Sequence, residues 1–358
     1  MNVFGILNMI ILMFYGILIM YLTIKHWDHP HKTIKIKISE LIYGVAYILN
    51  GLLILFIFEI EGLSAENQMV LHGLMFICFS VIIFWLMVPN ILRTKLRIKK
   101  HPEMMDPDAP LCRHLKGYWE RLAKEYEKAE GKDIIKDLTR KALHFVILAV
   151  VILFHELPLI YAEQLESLGY TATAISNFIY IVLAFFFLIM FSTADLYRVY
   201  KFENLPDWAL KWYGKSVEPA TEKYTFISSV PFLLTLILFI PFNFTIVLAA
   251  AIVSCVADAA ASIVGKNFGK HKMNNFGRYP NKSFEGFYAG ASSAFLGVVL
   301  AFTFYPISGV TVGWQLAFGI IAAASFIYVD AFSKYVVDNV LNTLIPGLLI
   351  LLCVVLFV

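Results

Sequence analysis

The stretch AIVSCVADAAASIVGKNFGKHKMNNFGRYPNKSFEGFYAGASSAFLGVVLAF, residues 251–302, decides the fold. Two long apolar runs flank an insert of glycines and lysines, Gly265 to Gly286. A helix needs about 20 apolar residues to cross roughly 30 Å of hydrocarbon, and each flank supplies that length. The insert therefore reads as a hairpin between two membrane helices.

The pattern recurs along the chain. Of 358 residues, 59% are hydrophobic and only 15% charged, whereas soluble domains carry about a quarter charged residues. We expect an all-α polytopic membrane protein with about ten spans, near 3–23, 38–60, 68–92, 142–163, 173–196, 224–240, 243–264, 284–306, 312–335 and 340–358. The sixth and seventh are parted only by Pro241, Phe242 and Asn243, and form either two spans or one long hairpin. The first run lacks a basic start and a small-residue cleavage site, so it reads as a retained helix. Cys78, Cys112, Cys255 and Cys353 stand far apart, mostly within apolar runs, as buried thiols do.

Lysine and arginine gather in 24–37, 93–141, 197–223 and 265–283, whereas the loop after the second span carries Glu59, Glu61 and Glu66. Ten spans with both termini outside put every basic loop in the cytoplasm. Three regions follow: accessory membrane helices over 1–100, a cytoplasmic linker and amphipathic helix over 101–136, and a membrane core over 137–358 that holds all the chemistry-bearing residues.

Ionisable groups inside spans are costly and mark function by default. Arg140, Lys141 and His144 enter the fourth span, with Arg140 and His144 on one helix face, where snorkelling is the plain alternative. Asp195 and Arg198 close the fifth span and could be a simple helix-end ion pair. Asp258 interrupts an apolar helix among Ala257, Ala259, Ala260, Ala261 and Ser262; its carboxylate suits magnesium, and small neighbours admit a helix or ligand.

The hairpin is not a Walker loop. Gly265 and Gly269 enclose three residues instead of four, and Lys270 is followed by His271 instead of Ser or Thr. Its Lys266, Lys270, His271, Lys272, Arg278 and Lys282 could bind several phosphates, with Ser283 capping the next helix and Glu285 in its first turn. Asp330, Asp338 and Asn339 end the ninth span; Asp330 and Asp338 share a face if the helix runs through both. Acids for a metal, cations for phosphates and an apolar surround suit phosphoryl or nucleotidyl transfer at a membrane surface.

Arg140-Lys141 with His144, Asp195 with Arg198, DAAASIVGKNFGK leading to NKSFEG, and the late Asp338-Asn339 together resemble the CTP-dependent polyprenol kinase family, which includes dolichol kinase, phytol kinase and a CTP-using diacylglycerol kinase. The similarity spans about 137–358. It implies a membrane enzyme that moves the γ-phosphate of CTP to a lipid alcohol, most like a dolichol kinase. Asp258, His144 and Asp195 would be catalytic. Magnesium would be held by Asp258, Asp338 and Asp330. Nucleotide phosphates would meet Arg140, Lys141, Ser262, Gly265, Lys266, Gly269, Lys270, Lys282, Ser283, Glu285, Arg198 and Asn339. Partners would be CTP, a polyprenol or other lipid alcohol, and membrane lipids, with no nucleic acid. The setting would be the endoplasmic reticulum membrane in a eukaryote, or the plasma membrane in a prokaryote.

The chain departs from the family at Ala257, where glycine is usual, and at Asp330, where glutamate is. The proline expected soon after Asp-Asn arrives late, at Pro346, so Asn342 is an alternative to Asn339. The hairpin also looks like that of CDP-lipid synthases, but the Gly-rich Asp-Arg segment of those enzymes is missing. An anion transporter is a further alternative, and one-sided clustering of ionisable residues argues against it.

Overall fold

A computed structural model describes residues 2–106, 113–127, 133–217, 223–273 and 282–358, with the side chains of 125–127, 133–144 and 215–216 outside the description. Cys112 and Arg278 lie outside it too. Twelve helices of nine residues or more organise the described chain: α1 (Val3–Lys25), α2 (Ile34–Ile60), α3 (Ala65–Lys100), α4 (Leu115–Glu127), α5 (Asp133–Ile160), α6 (Ala172–Tyr200), α7 (Asp207–Ser216), α8 (Ser229–Ile237), α9 (Phe244–Phe268), α10 (Phe284–Phe304), α11 (Val312–Phe332) and α12 (Asp338–Phe357). Among the described residues, α1, α2, α3, α6 and α9 to α12 are long and apolar enough to cross a membrane, eight helices. The chain is an all-α, multi-pass membrane protein.

Short polar residues set where many of these helices begin. Asn2, Thr33, Ser64, Thr171, Asn243 and Ser283 each accept a hydrogen bond from a first-turn amide, satisfying a donor that has no partner within its own helix.

The sixth expected span differs from the rest. In α5 the residues with described side chains, Phe145–Ile160, form an apolar stretch. The sixth, read over 224–240, contains a helix of only nine residues, α8, about 14 Å long and so half a bilayer. Tight turns continue it, with Phe239, Ile240 and Phe242 amides each bonding three residues back. The segment still crosses the fold. Ile227 at its start bonds Asp195 near the end of α6, while Thr245 beyond it donates to the Tyr305 carbonyl past the far end of α10. Such broken backbone survives at membrane depth only when wrapped in protein. Every residue of α8 is buried, and Phe239 packs on Gly347, where a Cβ would lie 2.5 Å from the ring.

One apolar core joins Leu12, Tyr47 and Phe79 of the first three helices to Phe185, Phe232 and Phe326 of the later ones. The first 100 residues are thus packed into the same body. Hydroxyls and amides reinforce the seam: Tyr15 with Thr193 (2.7 Å), Tyr47 with Ser192 (2.7 Å) and Asn50 with the Leu234 carbonyl (2.9 Å). The segment 113–124 docks at the basic end, with the 1% exposed Arg113 bonding the Leu205 carbonyl and Asp207. Large apolar side chains such as Phe14, Phe84, Trp85, Leu296 and Ile320 face outward, as a hydrocarbon solvent requires. Cys255 is buried, and Cys78 and Cys353 are half-buried.

The ends of the bundle are electrostatically unlike. The connections 61–64, 161–171, 238–243 and 305–311 contain no lysine or arginine, so the basic residues belong to the opposite end.

Candidate functional site

Four sets of contacts bring separate helix ends together at the basic end. The Lys32 ammonium holds Glu40 at the start of α2 (2.6 and 2.8 Å) and bonds Tyr200 at the end of α6 (2.8 Å). Asp195 accepts from Arg198, from the Tyr213 hydroxyl (2.8 Å) and from the Ile227 amide (2.9 Å). The Val337 amide before α12 donates to Ser39 of α2 (3.0 Å). Lys282, just before α10, bonds the Asp330 carbonyl (3.0 Å) and its carboxylate near the end of α11. Buried Tyr43 lies within electrostatic range of Glu40, Asp338 and Asp195 and so links the two sides. The sequence-expected acids and cations whose side chains are described therefore do share one face.

The hairpin differs from the expected phosphate loop. Gly265 and Lys266 remain helical, because α9 continues to Phe268. The chain then pairs with itself, through Met273 amide to Lys282 carbonyl and Phe284 amide to His271 carbonyl, both 2.9 Å. Its glycines serve close approach. A Cβ at Gly286 would sit 2.5 Å from the Ala261 carbonyl and 2.9 Å from the Gly265 Cα; one at Gly269 would collide with the Gly265 carbonyl and the Ser283 hydroxyl. Glycine permits backbone contact where any side chain would intervene. Ser283 caps α10 as expected, accepting from the Gly286 amide at 3.2 Å. Glu285 is committed to the hairpin itself, meeting His271 at its amide (3.2 Å) and ring (2.6 Å). Lys266, Lys270 and Lys272 project from the exposed side.

Asp258 follows a π-helical turn, Val253–Ala257. Such turns shift which residues face inward and recur at functional sites. Asp258 and Ser262 are half-exposed, and Asp258 and Asp338 both lie within electrostatic range of Asp330. The expected continuous helix through Asp330 and Asp338 is absent. α11 ends at Phe332, residues 333–337 turn, and Asp338 opens α12. The acids converge because two helix ends meet, and Asp338 gains the favourable dipole of a new N-terminus. Asn339 donates its amide to the Asp338 side chain at 3.0 Å. Among the described residues no three acids, histidines or cysteines stand at metal-holding distance. Magnesium asks less than that, since one or two carboxylates plus substrate phosphates suffice.

Asp195 and Arg198 are fully buried, at 0% side-chain exposure each. Arg198 also bonds the Lys223 (3.3 Å) and Thr225 carbonyls. This pair braces the 223–227 segment and offers no open face to a ligand. Arg140, Lys141 and His144 lie on α5, but their side chains fall outside the described residues.

The sequence reading passed over Lys32 and Glu40, both 1% exposed. An acid inside an apolar run was the available signal. Its partner, eight residues earlier in a basic loop, looked like ordinary topology charge. Burial draws the Lys32 ammonium down from the usual lysine range, while the Glu40 carboxylate opposes that pull. Buried Asn342 keeps its Oδ1 without a hydrogen-bond partner, which sets it apart from Asn339. Comparison with protein-family models, characterised proteins and solved structures finds no match.

Proposed function

We propose that the chain is a CTP-dependent lipid kinase that transfers the γ-phosphate of CTP to a polyprenol-type alcohol, giving polyprenyl phosphate and CDP. The observation that carries this reading is the Lys282–Asp330 contact beside the paired hairpin, with Asp258 and Asp338 within electrostatic range and lipid-facing helices below. Cations and acids that meet at a membrane surface suit a reaction whose catalysis is mostly positioning and charge neutralisation.

Lys282 is a phosphate ligand held in reserve by Asp330 until nucleotide arrives. Lys266 and Lys270 on the exposed side of the hairpin, with Arg140, take the remaining phosphate charge. Asp258 and Asp338 would hold magnesium, with Asp330 near them; the ion would bridge phosphates and neutralise developing charge. Asp195, enclosed by Arg198, Tyr213 and Ile227, suits a positioning role, which favours His144 as the group that receives the alcohol proton. The positive-inside rule sets this end in the cytoplasm.

The test is purified protein with γ-labelled CTP or ATP and a panel of lipid alcohols. Labelled lipid and CDP are expected. Pyrophosphate released from CTP and a lipid phosphate would instead identify a CDP-lipid synthase, the reading that the same hairpin favours second. Asp258→Asn should leave the fold intact and abolish transfer; a folded, fully active variant sinks the assignment. Lys282→Met should cut turnover by roughly 10²-fold or more while the protein still melts cooperatively.

A further inference from the structure

A groove of about 530 Å³ opens on the membrane side of α10 and α11, lined by Ala291, Ser292, Phe295 and Leu296 of one helix and Ile320, Ala323, Ala324 and Ile327 of the other. Its size falls in the range of small-molecule sites, roughly 300–1,000 Å³. Close packing beside it explains its shape: Gly319 lies against Phe295 and Gly290 against Phe326, so the helices touch there and part next to it. Leu296 and Ile320 at its rim are 58% and 61% exposed. The groove is thus continuous with the surface that meets lipid.

Its two ends are unlike. Along α11 the lining positions 320, 323, 324 and 327 advance by helical steps to Asp330, about 15 Å from Ile320. Asp330 holds Lys282. Between groove and ion pair, Tyr288 and Tyr328 stand 63% and 59% exposed, the place aromatic side chains take at a membrane interface. An apolar trough therefore passes an aromatic collar and ends at an ammonium and a carboxylate.

We infer that this groove seats the hydrocarbon tail of the lipid alcohol, delivering its hydroxyl past Tyr288 and Tyr328 to the Lys282–Asp330 pair. The identity of the head group rests on the lipid-kinase reading. The tail site rests on the groove. The groove leads to the Lys282–Asp330 pair, which the lipid-kinase reading sets beside the reacting phosphate, and that continuity is the reason to assign the groove to the acceptor.

The test uses the full chain in phosphatidylcholine nanodiscs and a polyprenol carrying a diazirine near the hydroxyl end, with adducts mapped by mass spectrometry. Adducts on the lining residues, competed by unlabelled polyprenol, are expected. Equal labelling by a diazirine phosphatidylcholine without competition, or competed adducts elsewhere, overturns the proposal. Ala324 faces the groove from an exposed position, so Ala324→Phe can fill it without disturbing the core. This variant should raise the KM for polyprenol roughly tenfold or more, leaving the KM for CTP and turnover of a short-chain alcohol unchanged; an unchanged polyprenol KM counts against the groove. Competed adducts with no CTP turnover by the wild type would remove the kinase reading and leave the lipid-alcohol site standing. Turnover without competed adducts would do the reverse.

Discussion

Three cation–acid pairs at the same end of the molecule are built in two opposite ways. Lys32–Glu40 and Asp195–Arg198 are enclosed, each side chain at most 1% exposed and bound by further hydroxyls or backbone groups. Lys282–Asp330 is looser, at 34% and 11% exposure. A sealed pair fixes helix ends, because separating it would strand a charge out of water. A half-open pair can exchange partners at small cost. The same residue types thus give a brace in one place and a candidate ligand site in the other.

The contrast can be broken by mutation, and the largest effect should come from the brace. Arg198→Ala leaves Asp195 buried and unpaired and should cost about 3–5 kcal/mol, seen as a large fall in melting temperature in detergent. Replacing both Lys32 and Glu40 by leucine should be far milder than Glu40→Leu alone, since removing one partner leaves a charge buried; equal losses would show that the pair is not sealed. At the hairpin, Gly286→Leu drives a side chain against the Ala261 carbonyl, and overpacking of this kind costs about 1–3 kcal/mol. Proteolysis within 269–283 should accelerate in that variant. The smallest effect belongs to the cap: Ser283→Ala should cost about 1 kcal/mol, measured by the same melting assay. If Ser283→Ala instead removes activity with no loss of stability, the hydroxyl is a ligand as well as a cap.

Apolar run lengths and the one-sided lysines made the membrane class, most spans and the shared polar face legible in the sequence. Ser283 as a cap could be read too, because capping is a local property of a few consecutive residues. The roles of Gly265, Gly269 and Gly286 could not. Glycine next to lysine suggests a ligand loop, whereas here the missing Cβ atoms let α9, α10 and the paired chain touch. The break between Asp330 and Asp338 was equally hidden, since no proline or glycine stands between them.

Sequence alone determined that this chain lives in a bilayer and that its charges collect at one end, because hydrocarbon length and the cost of burying charge act on every residue in order. Tertiary structure decided which charges are sealed and which stay accessible. It also decided that a nine-residue helix and its turns can stand in for a span, and that a groove is left between α10 and α11. Those outcomes depend on which neighbour fills the space beside a residue, and neighbours far apart in the chain are chosen only when the helices pack.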